Sequence, residues 1–213
     1  MNAFSAATAV DAEAWIVLKP YLDKLSDNRI VLLNKGPLAK LLQEKQGDAI
    51  MEAANTGNVI SIELKTEEKH TGNLFLEAWS NKCLENYQYW RSNGLNPGWM
   101  LKANADYIFY YFLNTDDLYI IRTIALQRWA FGYTGDKKEH QANIYRYKEK
   151  PQNKYSQLNK TTGWIVPIAD IVDGIRKHIT HVKVKQLSLP GMEKKIHGIQ
   201  EPSPVYSVGG SHA

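Results

Sequence analysis

Nine residues, VISIELKTE at 59–67, alternate between apolar and polar without a break, and a strand with one buried face is the regular structure that fits them. Ile60, Ile62 and Leu64 face one way, and Ser61, Glu63 and Lys65 face the other. The run before it, DAIMEA (48–53), is short and partly alternating. Between them ANTGN (54–58) reads as a turn, because Asn and Gly tolerate positive φ. NLFLEAWS (73–80) alternates too, with Leu74, Leu76 and Ala78 opposite Phe75, Glu77 and Trp79. Three such runs with short connections predict an antiparallel meander over 48–80.

Helical patterns flank these strands. Trp15, Leu18, Leu22 and Leu25 fall at helical spacing in residues 9–25, where Pro20 is expected to kink or interrupt the helix. A second helix is expected over 36–46, with Pro37 in its first turn and Gly47 at its end. Residues 92–99 read as a loop. Two strands rich in aromatic and β-branched residues follow, 106–113 and 117–124, separated by the turn NTD. Their alternation makes Tyr107, Phe109, Tyr110, Tyr111 and Phe112 a core strand rather than a base-stacking platform. A helix is expected over 123–131, and a strand, a turn at Pro167 and a helix over 163–179. From about 186 the chain carries Gly, Pro and Ser with little periodicity and reads as an extended or partly mobile tail. Strands and helices in this mixture make an α/β domain over residues 1–185, with a core at about 36–124 and a basic extension at about 132–185.

Composition narrows the chemistry. The chain has 213 residues, 44% of them apolar, enough for one domain with a real core. Its one cysteine, Cys83, excludes an intrachain disulfide and a thiolate zinc cage. The start, MNAFSAATAVDAEAW, lacks the basic, apolar pattern of a secretory leader, and no segment is long enough to span a bilayer. A cytoplasmic location is the expectation. Residues 1–135 hold 13 Lys+Arg against 15 Asp+Glu, a net −2, while residues 136–213 hold 13 against 7, a net +6. The basic part suits a polyanion, although solvated lysines on an ordinary surface would give the same count.

Asp48, Glu63 and Lys65 form the arrangement with chemical content. Period-2 geometry puts Glu63 and Lys65 on one face, and a hairpin could bring Asp48 to that face from the neighbouring strand, depending on register. Two close carboxylates repel each other unless a hard cation lies between them, and Mg²⁺ prefers such oxygen ligands. The bare (D/E)-x-K tripeptide is common, starting also at Glu67, Asp136 and Glu193. Only Glu63 sits on an alternating strand downstream of a Gly-Asp strand start. An exposed Glu–Lys pair on a sheet face is the plain alternative.

The segment GDAIMEAANTGNVISIELKTE resembles the core of the PD-(D/E)xK nuclease superfamily, the fold of many restriction enzymes and Holliday-junction resolvases. The resemblance covers about residues 36–124 and is one of pattern, with Gly47 standing where the signature has proline. It implies a restriction-endonuclease-like mixed central sheet flanked by helices, in the order helix, three-stranded meander, helix, strand. It implies Mg²⁺ or Mn²⁺ held by Asp48, Glu63 and the backbone carbonyl of Leu64, with Lys65 as the catalytic lysine. Glu77 is a further candidate ligand, since some members recruit an extra carboxylate; Glu13 and Glu44 are weaker ones. The implied activity is phosphodiester hydrolysis, in DNA before RNA, with no membrane partner, and a homodimer would pair two such centres.

Lys102 could touch a phosphate where the chain enters the fourth strand. Lys137, Lys138, Arg146, Lys148, Lys150 and Lys154, interleaved with tyrosines, could grip the nucleic-acid backbone. His70 in its loop is no zinc site, and His178 and His181 read as exposed. Two other classes remain: a non-catalytic nucleic-acid-binding protein on the same fold, and a protein-interaction module without metal.

Overall fold

The computed structural model describes residues 3–33, 46–79, 98–132, 143–151 and 161–184. The expected helix over 36–46 and the tail from 186 lie almost wholly outside these residues. Among them the chain forms an α/β fold with a six-stranded mixed sheet and a separate three-stranded sheet.

The first element, α1 (Ala3–Ser26), runs unbroken through Pro20. Ala14, Leu18, Tyr21 and Leu22 lie buried along one side of it and hold the helix to the sheet. The carbonyl that Pro20 leaves without an N–H belongs to Ile16, which is 75% exposed, so water can satisfy it. The expected interruption is therefore absent.

The large sheet has the order β1-β2-β3-β5-β6-β9. Its strands are β1 (Ile30–Leu32), β2 (Ala49–Glu52), β3 (Val59–Glu67), β5 (Tyr107–Phe112), β6 (Asp117–Arg122) and β9 (Ile179–Lys183). All neighbours are antiparallel except β3 and β5, which run parallel with Leu64 beside Phe109. Every residue of β5 is buried, the signature of a strand covered on both faces. One face packs on α1 through Ala49, Met51, Ile62, Leu64 and Phe109. The other packs on Leu74, Leu76, Met100, Leu126, Val166 and Ile171 through Ile108, Tyr110 and Phe112.

The small sheet has the order β4-β8-β7, from β4 (Asn73–Trp79), β8 (Thr162–Pro167) and β7 (Glu149–Pro151). Three α-helices, α2 (Trp99–Lys102), α3 (Thr123–Phe131) and α4 (Ile168–Ile175), and two short 3-10 helices, Asn143–Arg146 and Arg176–His178, complete the described elements. No helix among the described residues is long and apolar enough to cross a membrane.

The expected meander is thus corrected. β2 and β3 do form an antiparallel hairpin, but its third strand is β1, and β4 leaves for the small sheet. A strand has two edges, and those of β3 are taken by β2 and by β5. β5 needs cover on both faces and so takes the central place, whereas the alternating β4 is satisfied with one buried side. β4 still meets the large sheet through its backbone: the Phe75 N–H donates to the Tyr110 hydroxyl at 2.9 Å, and that hydroxyl donates to Glu67.

Candidate active site

Register decides whether Asp48 reaches Glu63, and β2 pairs with β3 so that Ala49 lies opposite Ile62. Asp48 directly precedes this ladder and is tied to β3 by its own bonds. The Asp48 N–H donates to the Ile62 carbonyl at 2.7 Å, and its Oδ2 accepts the Leu64 N–H at 2.8 Å. Asp48 therefore straddles Glu63 on the edge of β3. A strand residue sends its N–H and C=O toward the same edge, so the Leu64 carbonyl also leaves on the Asp48 side, away from the ladder with β5.

Gly47 sets this approach. Its φ is +80°, and a Cβ there would fall 2.6 Å from the Ile62 carbonyl oxygen. Proline, fixed near −65°, cannot take that conformation. Glycine at this position is thus a requirement of the local backbone in this chain.

On β3, Glu63 Oε1 and Lys65 Nζ form an ion pair of 2.7 Å, with the side chains 15% and 27% exposed. Trp99 of α2 lies over the ammonium, its ring centroid 5.8 Å from Nζ. Gly98 anchors that tryptophan: its N–H donates to the Ala78 carbonyl at 2.7 Å, and a Cβ on it would meet Glu77 Cγ at 2.6 Å.

The electrostatics are those of crowded acids around one base. Burial and the facing Glu63 charge push the Asp48 carboxyl up to about 6, only partly offset by Lys65 and the Leu64 N–H. Burial alone would lower the Lys65 ammonium, but Glu63, Asp48 and Glu77 outweigh it and raise it. Glu77 thus acts on the site although it comes from the small sheet and not from a neighbouring strand. Asp11 of α1 joins them; its charge raises Asp48, and loss of surrounding water raises its own carboxyl against the pull of Lys65.

Asp11 was missed by the sequence reading, which weighed Glu13 instead. The signal was available: Asp11, Ala14, Leu18 and Leu22 share the helical stripe that faces the sheet. Glu13 lies off that stripe, and its charge is felt by Tyr111. Glu44 lies outside the described residues.

Among the described residues, no group of three or more His, Cys, Asp or Glu side chains gathers closely enough to hold an ion by itself. The compact donor set is two carboxylates, Asp48 and Glu63, with the Leu64 carbonyl. These are all hard oxygen donors, and the Asp48 carboxyl is raised first by burial and then by the Glu63 charge. That chemistry fits Mg²⁺ or Mn²⁺.

The candidate nucleic-acid contacts divide. Lys102 is exposed at the end of α2, three residues from Trp99. Arg146, Lys148 and Lys150 are exposed on and beside β7. Register links β7 to the site: Lys150 lies opposite Gly163, and Gly163 opposite Glu77. Two strand spacings, about 10 Å, separate Lys150 from Glu77 along that row. Lys137, Lys138 and Lys154 lie outside the described residues. Of the three histidines named above, His178 is exposed and the other two are engaged elsewhere: His70 Nε2 lies 3.1 Å from the Tyr119 hydroxyl, and His181 Nε2 lies 2.6 Å from Asp117 Oδ1.

No protein-family model matches the chain, and neither does any curated protein or solved structure.

Proposed function

We propose that the chain is a divalent-metal-dependent nuclease that hydrolyses phosphodiester bonds, with DNA as its substrate and a cytoplasmic location. The observation that carries this reading is that Asp48 straddles Glu63 through its bonds to Ile62 and Leu64, with Lys65 beside both. The order of elements supports it as well. The implied order of helix, three-stranded meander, helix and strand has partial counterparts in α1, the antiparallel β1 to β3, α2 and β5, with β4 intervening before α2.

In this reading Asp48, Glu63 and the Leu64 carbonyl hold Mg²⁺ or Mn²⁺. The ion when bound acidifies a water and stabilises charge on the phosphate. Asp48 is pinned for this role by two hydrogen bonds to β3. Lys65 keeps its proton in this acidic setting, so it acts as a fixed positive charge that orients the attacking water or neutralises the phosphate. Glu77 and Asp11 hold Lys65 charged and add negative potential for the cation. Arg146, Lys148 and Lys150 are the backbone contacts, with Lys150 on the row that leads to Glu77.

The test is cleavage of a panel of linear duplex, single strand, branched junction and RNA, with and without Mn²⁺. Metal-dependent cleavage that is lost in Lys65→Ala supports the proposal. Cleavage unchanged in Lys65→Ala, or none on any substrate, refutes it.

A further inference from the structure

Lys65 ends in a long, rotatable side chain, and its closest partner, Glu63, is also a proposed ligand of the cation. A carboxylate that turns to a metal no longer fixes the lysine beside it. Something else must hold the ammonium in place while the site is loaded.

Trp99 has the properties for this. It is 3% exposed, and its ring packs against Tyr110 with centroids 6.4 Å apart and planes tilted by 58°. The backbone before it is locked, since Gly98 bonds to Ala78 and lies against Glu77 with no room for a side chain. The ring is therefore a rigid surface, and the Lys65 ammonium lies over it within the range of a cation–π contact. An aromatic face attracts the cation without being able to ligate a metal or take a proton, so it does not compete with the site's other duties.

We propose that Trp99 is a positioning residue: its indole face holds the Lys65 ammonium toward the Asp48–Glu63 pair. This rests on the nuclease reading for its consequence in catalysis, but the contact itself can be measured without it. In Trp99→Leu, kcat falls roughly 10-fold while KM stays near the wild-type value, and Trp99→Phe, which keeps an aromatic face, recovers most of the loss. KM unaffected is the mark of positioning rather than of lost substrate binding.

The second readout is NMR of protein labelled with ¹³C-lysine, with the Lys65 signal assigned by its disappearance in Lys65→Arg. The wild-type εCH₂ signal is expected upfield of the other lysines through the indole ring current, and in Trp99→Leu it moves back among them. A wild-type Lys65 signal with no ring-current shift overturns the proposal, whether or not any variant folds. So does wild-type cleavage with kcat unchanged in Trp99→Leu. Absence of cleavage in the wild type with the shifted signal present overturns the nuclease reading and leaves the contact established.

Discussion

Two aspartates in the large sheet sit in opposite electrostatic states. Asp48 is pushed up to about 6 by burial and by the facing Glu63. Asp117 is held down at about 2: burial would raise it, but the Thr115 hydroxyl beside it, then Lys183 and His181, outweigh that. At Asp117 one carboxylate has a lysine and a histidine as partners, with Lys183 Nζ at 2.9 Å and His181 Nε2 at 2.6 Å, and His181 is stacked on Tyr119 at 4.5 Å between centroids. At Asp48 several carboxylates share one lysine. The Asp117 cluster is satisfied by the chain itself and ties edge strand β9 to β6. At Asp48 burial, and after it Glu63, outweigh Lys65 and the Leu64 N–H, a balance that a bound cation would shift toward the charged form.

The largest effect should separate the two lysines. Lys65→Ala should lower metal-dependent cleavage on the order of 100-fold or more, the cost of one preorganised charge at a reacting phosphate. Lys183→Ala should leave the cleavage rate unchanged. Equal losses in the two variants would erase the distinction.

Stability should then move in opposite directions. Asp117→Asn removes charge-assisted bonds and should cost about 2 kcal/mol in urea unfolding. Asp48→Asn keeps an acceptor for the Leu64 N–H but removes a charge that the metal-free fold tolerates poorly, so it should stabilise the metal-free protein by about 1 kcal/mol at neutral pH.

The pH dependence sharpens the same contrast. Asp117 titrates below its unfolded value of about 4, so its contribution is fully present above about pH 4 and is lost as pH falls toward about 2. Asp48 titrates above its unfolded value, so its folded form keeps a proton that the unfolded chain releases. Its contribution is lost as pH rises from about 4 to about 6. Urea midpoints across this range should lose the upper slope in Asp48→Asn and the lower slope in Asp117→Asn. Saturating Mn²⁺ should abolish the upper slope alone.

The smallest effect is expected at the small sheet. Lys150→Ala should weaken DNA binding evenly across sequences and reduce the salt dependence by about one charge. Competition across increasing salt measures it, and an unchanged slope would remove Lys150 from the DNA path.

What was legible in the sequence follows from what each pattern encodes. Alternation located β3 and placed Glu63 and Lys65 on one face, because side-chain direction in a strand is local, and aromatic and β-branched richness located β5 and β6. The helix over 123–131 was readable from its own periodicity and ends at Gly132, in the left-handed conformation. Strand partners were not readable. β4 alternates as well as β3 does, yet the edge it would need belongs to β5, a competition between segments some 40 residues apart. β1 is three residues long, and β9 carries a polar ITHVK pattern with no fully buried residue, so neither announces itself. In the site, Asp48, Glu63 and Lys65 were legible from spacing. Asp11 and Trp99 come from elements whose approach to β3 is set by tertiary packing.

The central claim is the proposal that Asp48 and Glu63 together hold a divalent cation. Calorimetric titration of the metal-free protein with Mn²⁺ tests it most directly, on the wild type, Asp48→Asn, Glu63→Gln and Asp117→Asn. The account predicts binding in the wild type and in Asp117→Asn, and its loss in Asp48→Asn and Glu63→Gln. Absence of Mn²⁺ binding in the wild type, or binding that survives unchanged in Asp48→Asn, would contradict it.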